Sequence, residues 1–130
     1  IVVIKNKLKQ GDGGMHAQYK KGVLELCVLS LLKKRDCYGY EISESLSRHI
    51  HIADGTVYPI LRKLKADGIL TTYLQEESGG PPRKYYKLTG LGRETYEKDR
   101  AEYLQFARPV RVLLEDEEYD ETRIFDTAFE

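Results

Sequence analysis

The stretch from Asp54 to Leu88 constrains the fold more than any other part of this 130-residue chain. It opens with DGTVYPILRKLKADGIL, where apolar residues recur at helical spacing until a glycine intervenes. At about 100° per residue, Val57, Ile60, Leu61 and Leu64 share one face. Gly55, Thr56, Pro59, Arg62, Lys63 and Ala66 share the opposite one. Asp54 or Thr56 can serve as N-cap, because a short side-chain oxygen accepts from a free amide of the first turn. With Thr56 as cap, Pro59 is the third helical residue, where its missing N–H has no intrahelical partner to lose. Gly68 ends the helix as a left-handed residue beyond its C-terminus. A strand follows, then the loop EESGGPP, then RKYYKL. Alternation in RKYYKL puts Lys84, Tyr86 and Leu88 on one face and Arg83, Tyr85 and Lys87 on the other, with Tyr86 and Leu88 expected to pack inward. Helix, strand, loop and strand in this order form the second half of a winged helix-turn-helix.

The preceding residues supply the first half. KGVLELCVLSLLKKR, from Lys21 to Arg35, is apolar on nearly every side, so it reads as a helix buried in a core or between two subunits. Asp36, Cys37, Tyr38 and Gly39 are expected to form a turn. GYEISESLSRHI then forms a second helix, with Tyr40, Ile42, Leu46 and Ile50 inward and Ser43, Glu44, Ser47 and Arg48 outward. Two such helices joined by a short turn are what a helix-turn-helix requires.

Beyond the hairpin, Thr89 is expected to cap a long helix, GLGRETYEKDRAEYLQFARPVRVLLE. Tyr96, Tyr103 and Val110 take one seam position at heptad spacing, and Phe106 and Leu113 the other. A small winged domain leaves that stripe uncovered, so a partner helix from a second copy is its natural cover. Pro109 must kink or restart the helix. Residues 15–89 are thus expected to form a winged helix-turn-helix domain and 90–114 a dimerisation helix. Residues 115–130 form an acidic tail, mobile or docked through Ile124, Phe125 and Phe129. Residues 1–14 precede Met15, the only methionine, and are read as a non-native or disordered extension. The alternative is a basic arm carrying Lys5, Lys7 and Lys9. The fold class expected is mainly α with a small β-hairpin.

Function enters through charge. The outward face of the third helix is short-chained at its start, which lets its free amides approach an anion such as phosphate, and cationic further along. The loop between the strands exits through Arg83 and Lys84. A hairpin tipped by cations beside such a helix suits double-stranded DNA, with the helix in the major groove and the ribbon along the backbone or minor groove. The formal net charge of zero conceals an uneven distribution. Glu115 to Glu130 hold eight acidic residues and one basic, while the rest of the chain holds 20 basic and 13 acidic. A basic body with an acidic tail is compatible with DNA. A competing reading is a winged-helix adaptor that binds protein through its tail or aromatic helix and never touches DNA, and the net neutrality is its best support.

Other classes fit poorly. No Ser/His/Asp or Cys/His set stands out and no glycine loop follows a strand to cradle phosphate, so an enzyme is not expected. Cys27 and Cys37 form no CxxC pair, and Cys27 reads as a small buried hydrophobe. His49, His51 and Cys37 make a poor ligand set, so neither metal nor cofactor is implied. No apolar run reaches the ~18 residues of a membrane span, and a reducing cytoplasm is the expected location.

Taken together, YGYEI at Tyr38 to Ile42, GTVYPILRKLKADGIL at Gly55 to Leu70 and GGPPRKYYKLTGLGRE at Gly79 to Glu94 resemble the PadR-like bacterial transcriptional regulators. The resemblance covers roughly Met15 to Leu114. It implies a homodimeric repressor whose C-terminal helix packs against the partner's N-terminal region, released in some members by small aromatic or amphipathic ligands. It also implies DNA contacts at Tyr40 and Ser43 near the second helix's start, at Thr56, Tyr58, Arg62 and Lys63 in the third helix, and at Arg83 and Lys84 in the wing. The chain departs from the family in its short C-terminal helix with Pro109 and in having no tryptophan, which removes an indole sandwich for ligands.

Overall fold

The structure, a computed structural model, describes residues 15–77 and 79–116, with side chains from residue 18 onward. The proposed basic arm and all of the acidic tail beyond Asp116 lie outside the described residues. The elements are α1 (Met15–Lys34), β1 (Cys37–Tyr38), α2 (Gly39–Ser47), α3 (Val57–Ala66), β2 (Leu70–Gln75), β3 (Arg83–Leu88) and α4 (Gly90–Glu115). The chain is mainly helical with one small antiparallel sheet in the order β1-β3-β2. Two compact units divide it, residues 1–97 and residues 98–130.

The first unit is organised by α3, which follows the expected pattern closely. Val57, Ile60, Leu61 and Leu64 are all buried. Pro59 occupies the third helical position, so the helix tolerates it. Thr56 precedes the helix, yet its side chain makes no cap hydrogen bond; its own N–H donates to Ala53 O at 3.2 Å. Gly68 adopts φ +76°, the left-handed conformation expected of the residue that ends this helix. Ile69 and Leu70 then enter the core, and β2 pairs with β3 from Leu70↔Leu88 to Gln75↔Arg83. Tyr86 and Leu88 point inward as expected. Lys84, on the same strand face, lies past the edge of the core and is exposed.

Three expectations fail, each for a local reason. Cys37 and Tyr38 form no simple turn: they are a short strand paired with Tyr86 and Tyr85. Two residues are too few to display a two-residue period, and the pairing is supplied by the free edge of β3, far along the chain. Helix α2 ends at Ser47 rather than Ile50, although the His49 and Ile50 N–H groups still reach Leu46 O at 3.0 and 2.8 Å. Tyr40, expected inward, is 62% exposed. It stands two residues before Ile42, about 200° around the helix, so burying Ile42 and Leu46 turns Tyr40 out.

Helix α1 contributes Val28, Leu29 and Leu32 to the core, with Leu24, Cys27 and Leu31 half-buried against it. Glu41 accepts the Tyr38 N–H at 3.2 Å and secures the start of α2. Burial by itself would raise the Glu41 carboxyl, but hydrogen bonds from Arg35 and the Tyr38 amide prevail and hold it low. Thr89 joins α4 to this body. Its hydroxyl donates to Gly68 O at 2.6 Å and accepts the Gly92 N–H at 3.0 Å, the expected N-cap. Gly92 is buried so tightly that a Cβ there would collide with the Ile69 carbonyl. Tyr96 packs against the core, and Lys33 pairs with Glu97 at 2.9 Å.

The second unit holds the rest of α4, which runs through Pro109 to Glu115 without ending. Phe106, Val112, Leu113 and Leu114 are exposed there, while Tyr103 and Val110 are half-buried. No helix among the described residues is long and apolar enough to cross a membrane.

Candidate nucleic-acid interface

The start of α2, the outward face of α3 and the wing strand β3 enclose one open concavity of about 510 Å³. Tyr38, Gly39 and Tyr40 form one wall, Tyr58 and Arg62 of α3 a second, and Arg83, Lys84 and Tyr86 of the wing the third. Among the described residues, no acidic side chain lines it. Aromatic walls with three cations present flat apolar surface and positive charge in one place, the combination that sugar and phosphate groups require. Arg62 and Lys84 form no ion pair among the described residues, so both charges are available to a partner. Gly39 lets the two walls meet: a Cβ there would stand 2.9 Å from Tyr58 Cε1, so any larger residue displaces the Tyr58 ring.

Five of the eight sequence-predicted contact residues therefore come together here: Tyr40, Tyr58, Arg62, Arg83 and Lys84. The other three stand elsewhere. Lys63 turns toward α1, where its ammonium lies 3.1 Å from Glu25, with Asp67 at 3.7 Å. The hydrogen bond to Glu25 raises its pKa above the usual lysine value. One residue on from Arg62 is about 100° around the helix, which is why neighbours in sequence face different partners. Thr56 lines a separate cavity with Lys20, Lys21 and His51. Ser43 is half-exposed on α2, its carbonyl accepting from the Ser47 hydroxyl at 2.9 Å.

The wing is tied to the body by a row of tyrosines that sequence reading had not assembled. Tyr38, Tyr85 and Tyr73 sit opposite one another across the three strands. Tyr85 stacks on Tyr73 and meets Tyr38 edge-on, each at 5.6 Å between ring centres. The Arg83 guanidinium lies 4.5 Å above the Tyr38 ring and 4.0 Å from Glu77. Tyr73 donates to Asp36 at 2.7 Å, and Tyr85 to Glu77 at 2.6 Å. That bond to Glu77, reinforced by desolvation, pushes the Tyr85 phenol up to about 12. Tyr38 and Glu77 were missed because the row exists only once β1 joins β3. The sequence signal for it was limited to a tyrosine within the turn expected at Asp36 to Gly39.

The sequence pattern of the PadR-like transcriptional regulators matches residues 28–98, which include α2, α3 and the wing. The chain belongs to this family. A PadR-like transcriptional regulator from Bacillus cereus has a similar solved structure, with TM-score 0.68, 34% identity and coverage of 77% of this chain and 99% of that one. A PadR-family regulator from Eggerthella lenta is similar at TM-score 0.63 and 34% identity, covering 78% and 90%. Among curated proteins, the transcriptional regulator Rv3488 of Mycobacterium tuberculosis is 31% identical over 94 residues, spanning 72% of this chain and 87% of its own. Membership makes the chain a transcriptional regulator with a winged-helix DNA-binding fold, not an enzyme. Among the described residues, no group of His, Cys, Asp and Glu is placed to hold a metal.

Proposed function

We propose that this PadR-like regulator is a cytoplasmic, homodimeric repressor that grips operator DNA with α3 and the wing. The observation that carries the reading is the single concavity shared by Tyr40, Tyr58, Arg62, Arg83 and Lys84, with no acidic lining among the described residues. In this reading α3 enters the major groove, Arg62 reaches base edges or the phosphate beside them, and Lys84 with Arg83 anchors the wing on the backbone. Tyr40 and Tyr58 pack against the sugars and restrict how the helix can tilt. Thr56 and Ser43, which stand outside the concavity, would serve at most as subsidiary contacts. Lys63 serves first to brace α3 against α1 through Glu25.

Self-association rests on α4. Phe106 and Leu113 are 67% and 59% exposed, an arrangement a second copy's helix would cover, with Tyr103 and Val110 at its margin. Tyr96 already packs against its own winged body, so its part in that seam is to fix where the helix leaves the domain. Two copies would present two α3 helices to successive half-sites about one DNA turn apart. A small aromatic effector, where one acts, would shift the spacing between them.

The test is selection of bound sequences from a random duplex library by the purified full chain. Recovery of an inverted repeat, lost on Arg62→Ala, is the expected result. Failure to enrich any sequence, combined with flat salt dependence of duplex binding, would sink the reading and favour the adaptor alternative.

A further inference from the structure

Arg83 differs from the other two cations of the concavity in having an anionic neighbour. Its guanidinium stands over the Tyr38 ring, 4.5 Å from the ring centre, and 4.0 Å from the Glu77 carboxylate. Glu77 is itself held in place, because its other oxygen accepts the Tyr85 hydroxyl at 2.6 Å. Tyr85 in turn is fixed between Tyr73 and Tyr38. A glutamate on a free loop would swing away when phosphate approached, but this one is anchored to the sheet through a stacked ring. Arg62 and Lys84 have no such counter-charge among the described residues.

We propose that Glu77 tempers DNA binding by competing with backbone phosphate for Arg83, so that the wing's grip is set below what its cations alone would give. This rests on the duplex-binding reading above and deepens it with a residue that tunes affinity without touching base edges. Both charges are partly exposed, so the competition is modest in size and steep in its salt dependence. It also gives the row of tyrosines a purpose beyond stiffness, since the row decides where the competing carboxylate stands.

Glu77→Gln is the informative change, because the amide oxygen still accepts from Tyr85 while the charge is gone. Binding of a labelled mixed-sequence duplex should tighten about threefold at low salt, the scale of one surface ion pair. The plot of log affinity against log salt should steepen by up to ~0.9, the release expected from one further phosphate contact. In an Arg83→Ala background the same change should give no gain. An unchanged affinity for Glu77→Gln overturns the proposal, as does an equal gain with Arg83 absent, which would mean a diffuse charge effect. In either of those cases the native chain still binds duplex and the broader reading survives. If the native chain binds no duplex at any salt, both fall together.

Discussion

The winged body and the far part of α4 treat apolar side chains in opposite ways. In the body, fourteen hydrophobic residues are buried and no polar or charged side chain is buried with them, among the described residues. Beyond Lys98, Phe106, Val112, Leu113 and Leu114 all face solvent. The body carries a core built from its own residues, and its candidate functional groups are the ones it leaves outside. Among the described residues the far helix buries no hydrophobic side chain, so its exposed apolar residues are available as a surface for another segment or another chain.

The sharpest way to break that contrast is to remove one large side chain from each region. Leu61 is fully buried, so Leu61→Ala should cost about 2–5 kcal/mol of stability in denaturant unfolding. Phe106→Ala at the same low protein concentration should cost under about 0.5 kcal/mol, as an exposed substitution does. Equal losses would mean that Phe106 belongs to a core after all. Phe106→Asp carries the contrast to assembly. If the exposed stripe is a self-association surface, sedimentation should show that interaction weakened by about 2 kcal/mol or more, with thermal unfolding of the body little changed.

The body's own exterior divides more finely. Arg62 and Lys63 are adjacent, yet only Arg62 reaches the concavity. Arg62→Ala is expected to lower sequence-specific duplex affinity by about 1–3 kcal/mol while leaving unfolding unchanged. Lys63→Ala should instead take about 0.2–1 kcal/mol from stability through its contact with Glu25, and change duplex affinity less than Arg62→Ala does. Reversed phenotypes in parallel gel-shift and melting experiments would mean that the α1 contact is broken on DNA.

How much of this could be read in advance follows the same division. The inner faces of α3 and β3 were legible because burial imposes a period, and Val57, Ile60, Leu61, Leu64, Tyr86 and Leu88 obey it. Gly68 and Thr89 were legible because the conformation at a helix end restricts residue type. Tyr40 was misread as inward because α2 was drawn three residues too long, which let Ile50 pull the apparent face around. β1 left no trace in sequence because its pairing partner is nearly fifty residues away. The course of Lys63 was equally hidden, since a charge run announces an exposed face but not which carboxylate each ammonium will find. Local periodicity therefore gave the core, and only tertiary pairing gave the clasp around Arg83.

That clasp provides the smallest effect and the finest test, because it is polar, exposed and nevertheless fixed. Tyr85 keeps its proton to about 12, against about 10 for an ordinary tyrosine, since its hydroxyl donates to Glu77. A group whose pKa is raised on folding stabilises the fold while protonated. The contribution is therefore whole below about pH 10 and fades as pH climbs through 12. Neutral-pH measurements will not detect it. Tyr85 should develop its tyrosinate absorbance late, as pH climbs through about 12, and Tyr85→Phe should remove that late phase. The same substitution leaves Glu77 charged but untethered, so duplex binding at neutral pH should shift by less than Glu77→Gln produces. If Tyr85 shows no late phase, its bond to Glu77 is not made and the wing is not clasped.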